Sequence, residues 1–419
     1  METQFDPALA ERLHAFVSVF ASPKGSGDGP TFAVKDLIDV AHVPTFGGGR
    51  VALNPDPWRD AAPVERLLEA GWRAIGKTHT VELAYGGWGT NRAVGAPWNP
   101  WDSKAHRAPG GSSSGSAVAV AAGLVDAALG TDTGGSVRIP AAACGVVGLK
   151  PGRGLVALRG VHDLAPSLDT CGLLARSVAL AARGLGIISR PDAGRETRPA
   201  LDVEAALARS ARGLTVAALP LDLLGEMDPQ VARLYLQALE RIAAAGVRVE
   251  TAAPPEPLEA YFEPNGVLMA GEGWRVRGAH LGRNRAVMDP WVAKRFEAGR
   301  MIDDARLTAA MQRRAEDQGR FHAWLSQYDA LLSPTSPIAA PPLDRVDETT
   351  SPLSRLTRAA NYLDLPAASL PCGLTDEGLP VGLQVMARPA DEATMITLAA
   401  AFEAVLGWDG RGPDLSGFR

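Results

Sequence analysis

The amino-acid sequence predicts an α/β protein: one large domain in which a mixed, mostly parallel β-sheet is covered by helices on both faces. Three observations carry this expectation. Helical and strand patterns alternate along most of the chain, as in a sheet dressed with helices. The 419 residues suffice for one large core, and no internal repeat or linker divides them. Hydrophobic residues make up 46% and charged residues 21%, the balance of a globular chain.

Residues 1–22 read as a helix, because Leu9, Leu13, Phe16, Val17 and Phe20 follow helical apolar spacing. Residues 24–30 form a Gly-rich turn, 31–40 a buried strand running into a loop, and 63–70 a helix stopped by Gly71. A short strand at 72–77 and a short helix at 80–85 follow. The polar, Pro- and Gly-rich stretch 99–111 reads as a loop. It leads into an apolar helix at 117–122 and a strand at 124–130. Further on come a helix at 178–185, a strand at 214–219, a helix at 229–245 and a strand at 247–251. Residues 256–326 are mostly helical in pattern, most clearly at 305–325. Segments 329–332, 367–370 and 381–386 read as central strands, and 390–406 as a closing helix. The expected organisation is a single domain over 1–419, its core in 30–190 and 330–405 and a mostly helical variable region at about 195–328.

Composition excludes several classes of function. A formal net charge of −5 offers no basic face for a phosphate backbone, so no nucleic-acid partner is expected. No apolar run reaches the length of a membrane span, and the first residues carry no export signal. Cys144, Cys171 and Cys372 lie far apart, as free thiols in a reducing cytoplasm would. Lysine occurs at six positions only (24, 35, 77, 104, 150 and 294), with arginine supplying the remaining basic residues. Arginine cannot usefully lose its proton whereas desolvated lysine can, so each lysine invites scrutiny.

Two glycine–serine clusters concentrate the candidate chemistry, at 110–116 and 134–136. A flexible linker is the bland reading of the first, but the cluster is short and opens directly into a buried-looking helix. Residues 111–115 also match G-x-S-x-G around Ser113; that motif demands a preceding strand, and 103–109 is too polar and broken to be one. The second cluster, Thr133-Gly134-Gly135-Ser136, follows a strand and can turn successive N–H groups towards one anion. An ordinary tight turn is its bland alternative.

Three stretches together resemble the signature region of the amidase signature family: residues 110–123, 128–141 and 144–151. Ala33-Val34-Lys35-Asp36-Leu37-Ile38-Asp39-Val40 resembles that family's lysine strand, and the blocks 166–172, 333–337 and 378–385 resemble its later ones. Two positions depart from the family pattern: Ser114 where glycine is common, and, in Gly172-Leu173-Leu174-Ala175-Arg176, a leucine where proline is usual. The resemblance implies an amide hydrolase with Ser136 as nucleophile, Lys35 as base and Ser112 as the serine between them, following a cis peptide from Gly111. It implies an oxyanion hole from the backbone N–H groups of Thr133, Gly134, Gly135 and Ser136, and no metal or organic cofactor. Ser113, Asp132 and Arg138 are supporting residues, the last two as a pair that holds the turn.

The chemistry is sound on general grounds. A serine hydroxyl needs a base, and neutral lysine can serve as one in Ser–Lys arrangements. Burial must first lower the lysine pKa, so Asp36 and Asp39 are expected to point away from the Lys35 amine. Lys77 reads as structural, and Trp88, Trp98, Trp101, Trp274 and Trp291 are candidates for an aromatic pocket, with core packing the commoner fate of tryptophan. The expected partner is a small-molecule amide, with a homodimer as the candidate assembly. The rival expectations are the glutaminase-type A subunit of a tRNA-dependent amidotransferase and a non-catalytic relative of the family.

Overall fold

The computed structural model describes residues 5–189, 200–408 and 411–418. Its strands, in chain order, are β1 (Phe16–Lys24), β2 (Thr31–Lys35), β3 (Arg73–Thr78), β4 (Ala127–Asp132), β5 (Val147–Lys150), β6 (Thr170–Ala175), β7 (Thr215–Ala218), β8 (Arg248–Thr251), β9 (Ala330–Pro334), β10 (Ala367–Leu374) and β11 (Pro380–Ala387). They form one sheet in the order β1-β3-β2-β4-β6-β5-β10-β11-β9-β7-β8. The sheet is therefore built from both ends of the chain, with β10 beside β5.

The sheet is mixed, but the expectation that it is mostly parallel needs correction: six of its ten strand pairings are antiparallel. Parallel pairs occur where a helix carries the chain back, as Ala62–Glu69 does between β2 and β3 and Pro229–Ala244 between β7 and β8. Elsewhere the return is short; β10 and β11 meet through a turn closed by Gly378 N–H to Thr375 O. Helix–strand alternation read from sequence does not register strand direction, which is why these hairpin-like neighbours escaped it.

The N-terminal expectation also fails in part. Its residues 1–4 lie outside the described residues. The helix is Pro7–Arg12, capped by Asp6, and after His14 at φ 50° the chain becomes β1. Phe16, Ser18 and Phe20 alternate with the exposed Val17 and Val19, so the same apolar set serves a period of two along a sheet edge. Strands β5 and β6 and the helix Arg138–Cys144 were not anticipated. Pro140 lies in the first turn of that helix, where a missing N–H is tolerated. Residues 200–328 contain β7 and β8 as well as the expected helices; the junction expected at 190–195 lies outside the described residues. Among the described residues no helix is long and apolar enough to cross a membrane.

Strand pleat sorts the sheet's side chains between two cores. Phe32, Val34, Ala127, Leu129 and Leu173 belong to the larger one, whereas Ala33, Ala128 and Leu174 face the smaller one around the helix Ser114–Ala121. Lys35 is two residues beyond Ala33 and so shares its side of β2. The loop before that helix carries Ser112. Strand parity thus aims the lysine at the serine.

Candidate active site

Lys35 is fully buried, and its Nζ lies 2.7 Å from Ser112 Oγ and 2.8 Å from Thr131 Oγ1. Burial pushes its pKa down to about 7, against the opposing influence of Asp132, Asp169 and Cys171. Asp36 and Asp39 are engaged elsewhere. Asp36 pairs with Lys77 at 2.8 Å, both fully buried, while Asp39 accepts from Thr45, Asn54 and His162. Lys77 accordingly sits in an ion pair, matching its structural reading.

Ser112 follows a cis peptide bond from Gly111, and its backbone oxygen accepts from Val81 N–H and Thr80 Oγ1. The two glycine–serine clusters meet directly: Ser113 N–H donates to Ser136 O at 3.2 Å, and Ser113 Oγ donates to Thr131 O at 3.3 Å. Gly130 allows this approach. A Cβ there would sit 2.9 Å from Ser113 Oγ. Ser136 is 8% exposed and opens onto a cleft that Thr133 and Gly134 also line.

The turn 132–136 is held by a network of buried charges and amides. Asp132 accepts from the N–H groups of Gly135 (2.8 Å) and Val137 (3.0 Å) and pairs with Arg138 at 2.9 Å. Burial would raise the Asp132 carboxyl, but Arg138, the charge of Lys150 and the Val137 N–H hold it well below the usual range. Arg138 also donates to Thr357 O, Gln384 Oε1 and Asn361 Oδ1. Thr357 Oγ1 donates to Gly134 O. On the other side, Thr133 Oγ1 donates to Asp169, whose carboxyl burial pushes up to about 7.

One expected detail is different. The Gly135 N–H is committed to Asp132, so of the four N–H groups read as an anion nest only those of Thr133, Gly134 and Ser136 lack a protein acceptor among the described residues. Gly135, at φ 126°, lets the chain make this turn, and a Cβ there would sit 2.2 Å from Thr357 Oγ1.

Truncating one member of a buried pair leaves the other charge uncompensated, at a cost of about 3–5 kcal/mol. Asp132→Ala should therefore shift the urea midpoint of the purified protein strongly downward; an unchanged midpoint would show that Arg138 finds its support elsewhere.

Sequence reasoning missed Thr131, Asp169, Thr357, Asn361 and Gln384. Asp169 and Gln384 lie inside the blocks 166–172 and 378–385, but no spacing rule connects residues so far apart. It also missed the cleft walls, Tyr85, Met269, Arg295 and Arg358. None of the five tryptophans considered lines that cleft, and Trp88 and Trp101 donate their indole N–H groups to backbone oxygens. Among the described residues no group of His, Cys, Asp and Glu could hold a metal ion.

The sequence model of the family described as Amidase matches residues 10–396. The chain is 38% identical to the A subunit of the Glutamyl-tRNA(Gln) amidotransferase of Myxococcus xanthus (strain DK1622), over 91% of this chain and 84% of that protein. It is 35% identical to the 2-amino-5-chloromuconic acid deaminase of Comamonas testosteroni, over 90% and 81% respectively. A crystal structure described as an amidase superposes with a TM-score of 0.83 at 31% identity, covering 95% of this chain and 94% of that one.

Proposed function

The chain belongs to the amidase family, hydrolases acting on carbon–nitrogen bonds, and from that premise we propose that it hydrolyses a small amide through an acyl-enzyme on Ser136. The observation that carries the reading is the 2.7 Å contact of Lys35 Nζ with Ser112 Oγ, made by an amine whose burial holds it near neutrality. Ser136 Oγ gives its proton to Ser112 Oγ, whose own proton passes to neutral Lys35. The Ser136 oxygen attacks the amide carbon. The developing oxyanion is received by the N–H groups of Thr133, Gly134 and Ser136, with Gly135 used to set the turn. Returning along the same path, the proton reaches the amide nitrogen, and the C–N bond breaks to release an amine or ammonia. Water then attacks the ester carbonyl, giving its proton to the relay, and the acid leaves Ser136 as a free hydroxyl.

This reading calls for no metal or organic cofactor and is compatible with a cytoplasmic enzyme that works as a single domain. Labelling with a fluorophosphonate, followed by peptide mapping, tests it directly. An adduct on Ser136 is expected, and an adduct on another residue would sink the assignment.

The pH dependence has a defined sign. Lys35 accepts a proton only when neutral, so kcat/KM should fall about tenfold per pH unit as the pH drops below about 7. Above that value it should level off. A flat profile between pH 5 and 9 would remove Lys35 as the base.

A second reading has specific support: 38% identity to an amidotransferase A subunit. Here the cleaved amide would supply ammonia to partner subunits, and the expectation of no nucleic-acid partner would lose its force. Net charge is a weak guide when a partner subunit carries the RNA contact. Hydrolysis by the purified chain alone favours the first reading; activity that requires added partner subunits favours the second.

A further inference from the structure

The three N–H groups left without a protein acceptor among the described residues, those of Thr133, Gly134 and Ser136, lie on a turn whose aim is set from behind. A trans peptide is planar, with its C=O and N–H pointing in opposite directions, so a donor that grips the oxygen also aims the N–H. The oxygen of Asp132 shares a peptide with the Thr133 N–H, and that bond is trans. Two side chains grip this oxygen: Thr170 Oγ1 donates to it at 3.0 Å and Asn361 Nδ2 at 2.9 Å. Both residues are buried, and neither lines the cleft.

The neighbouring peptides of the turn show what such a grip does. In the one joining Gly134 to Gly135 both ends are spent inside the protein: the oxygen accepts from Thr357 Oγ1 and the N–H goes to Asp132. In the one joining Gly135 to Ser136, Ile139 N–H donates to the oxygen at 2.7 Å, and the Ser136 N–H is the end left over. The Asp132–Thr133 peptide is of this second kind, gripped at its oxygen and open at its N–H. Thr133 is also held by its side chain, whose Oγ1 donates to Asp169. The grip itself is anchored. Thr170 begins β6, where it stands opposite Asp132, and Arg138 Nη2 donates to Asn361 Oδ1 at 2.7 Å. A guanidinium only donates, so it claims the amide oxygen and leaves the amide nitrogen of Asn361 for the Asp132 carbonyl.

We propose that Thr170 and Asn361 are positioning residues of the oxyanion hole: they act through the Asp132 carbonyl to aim the Thr133 N–H at the negative oxygen formed in the cleft. Neither touches the substrate. What they supply is preorganisation, since a donor that must turn as the charge develops stabilises it less than one already aimed. This inference rests on the Ser136 reading, because attack by Ser136 is what creates the oxyanion.

The experiment sets the hydroxyl of Thr170 against its methyl group. Thr170→Val keeps the shape of the side chain and loses the donor, whereas Thr170→Ser keeps the donor and loses the methyl. With p-nitrophenyl butyrate as a chromogenic substrate, Thr170→Val should lower kcat/KM about tenfold, part of the roughly 10²–10³ that a whole oxyanion donor is worth. Thr170→Ser should stay close to the native value. Asn361→Asp retains an acceptor for Arg138 but sets an oxygen against Asp132 O, and should lose more, about 100-fold. Butylboronic acid, which forms a tetrahedral anion on a reactive serine, reads the same donor without turnover. Its Ki should rise in Thr170→Val by the factor by which kcat/KM falls, and should remain native in Thr170→Ser. A serine variant as impaired as the valine one, or a valine variant with native kinetics, would make Thr170 a packing residue and overturn the proposal, as would a boronate Ki unmoved while kcat/KM falls. Fluorophosphonate labelling of the native enzyme keeps two failures apart. With Ser136 labelled, those outcomes count against the positioning role alone; with another residue labelled, the Ser136 reading falls and takes this inference with it.

Discussion

Ser136→Ala is expected to lower kcat by about 10⁴–10⁶-fold, the range for removing a serine that forms the covalent intermediate. The size of the effect follows from the surroundings. Ser136 opens onto the cleft alongside Thr133 and Gly134. Ser112 and Ser113 are fully buried, and Ser113 is tied to the Ser136 backbone, so no other hydroxyl of the cluster reaches the substrate. Steady-state kinetics with circular dichroism as a control for folding checks it. Retention of more than about a tenth of the native kcat, far above that range, would remove Ser136 as nucleophile.

Lys35→Met is expected to cost about 10²–10⁴-fold in kcat/KM, the usual range for a general base. Methionine keeps the length of the stem and fills an apolar site without bringing a charge into it. The fold should survive, because the site already disfavours a charged amine. Lys35→Arg should be as inactive as Lys35→Met, since guanidinium stays protonated. That comparison isolates proton acceptance from positive charge: an active arginine variant would mean that the cation, not the free amine, matters.

How much of this could be read beforehand depended on distance along the chain. Lys35, Ser112 and Ser136 lie in short stretches that resemble the family's signature, and their roles came with that resemblance; Asp132 and Arg138 are close enough in sequence to suggest a pair. Gly135 was legible as a turn residue but not as a donor already spent on Asp132, because that depends on the turn's torsion angles. Arg358 and Asn361 were invisible. Both are ordinary residues of the helix Arg358–Tyr362, and only packing places one on the cleft wall and the other at the oxygen of Asp132. The first strand was misread for a different reason: Leu9, Leu13, Phe16 and Phe20 satisfy a helical period, and the sheet edge that claims the last two is formed with residues 73–78, far downstream.

The route by which the chain is made gives Arg138 a further significance. Its guanidinium is gripped by Thr357, Asn361 and Gln384, which leave the ribosome more than two hundred residues after Ser136. A nascent polypeptide carries Lys35, Ser112 and Ser136, the three side chains proposed to react, long before it carries the clamp on Arg138. The turn 132–136 thus gains its Arg138 clamp only with the last part of the chain, and truncated products of interrupted translation lack that clamp.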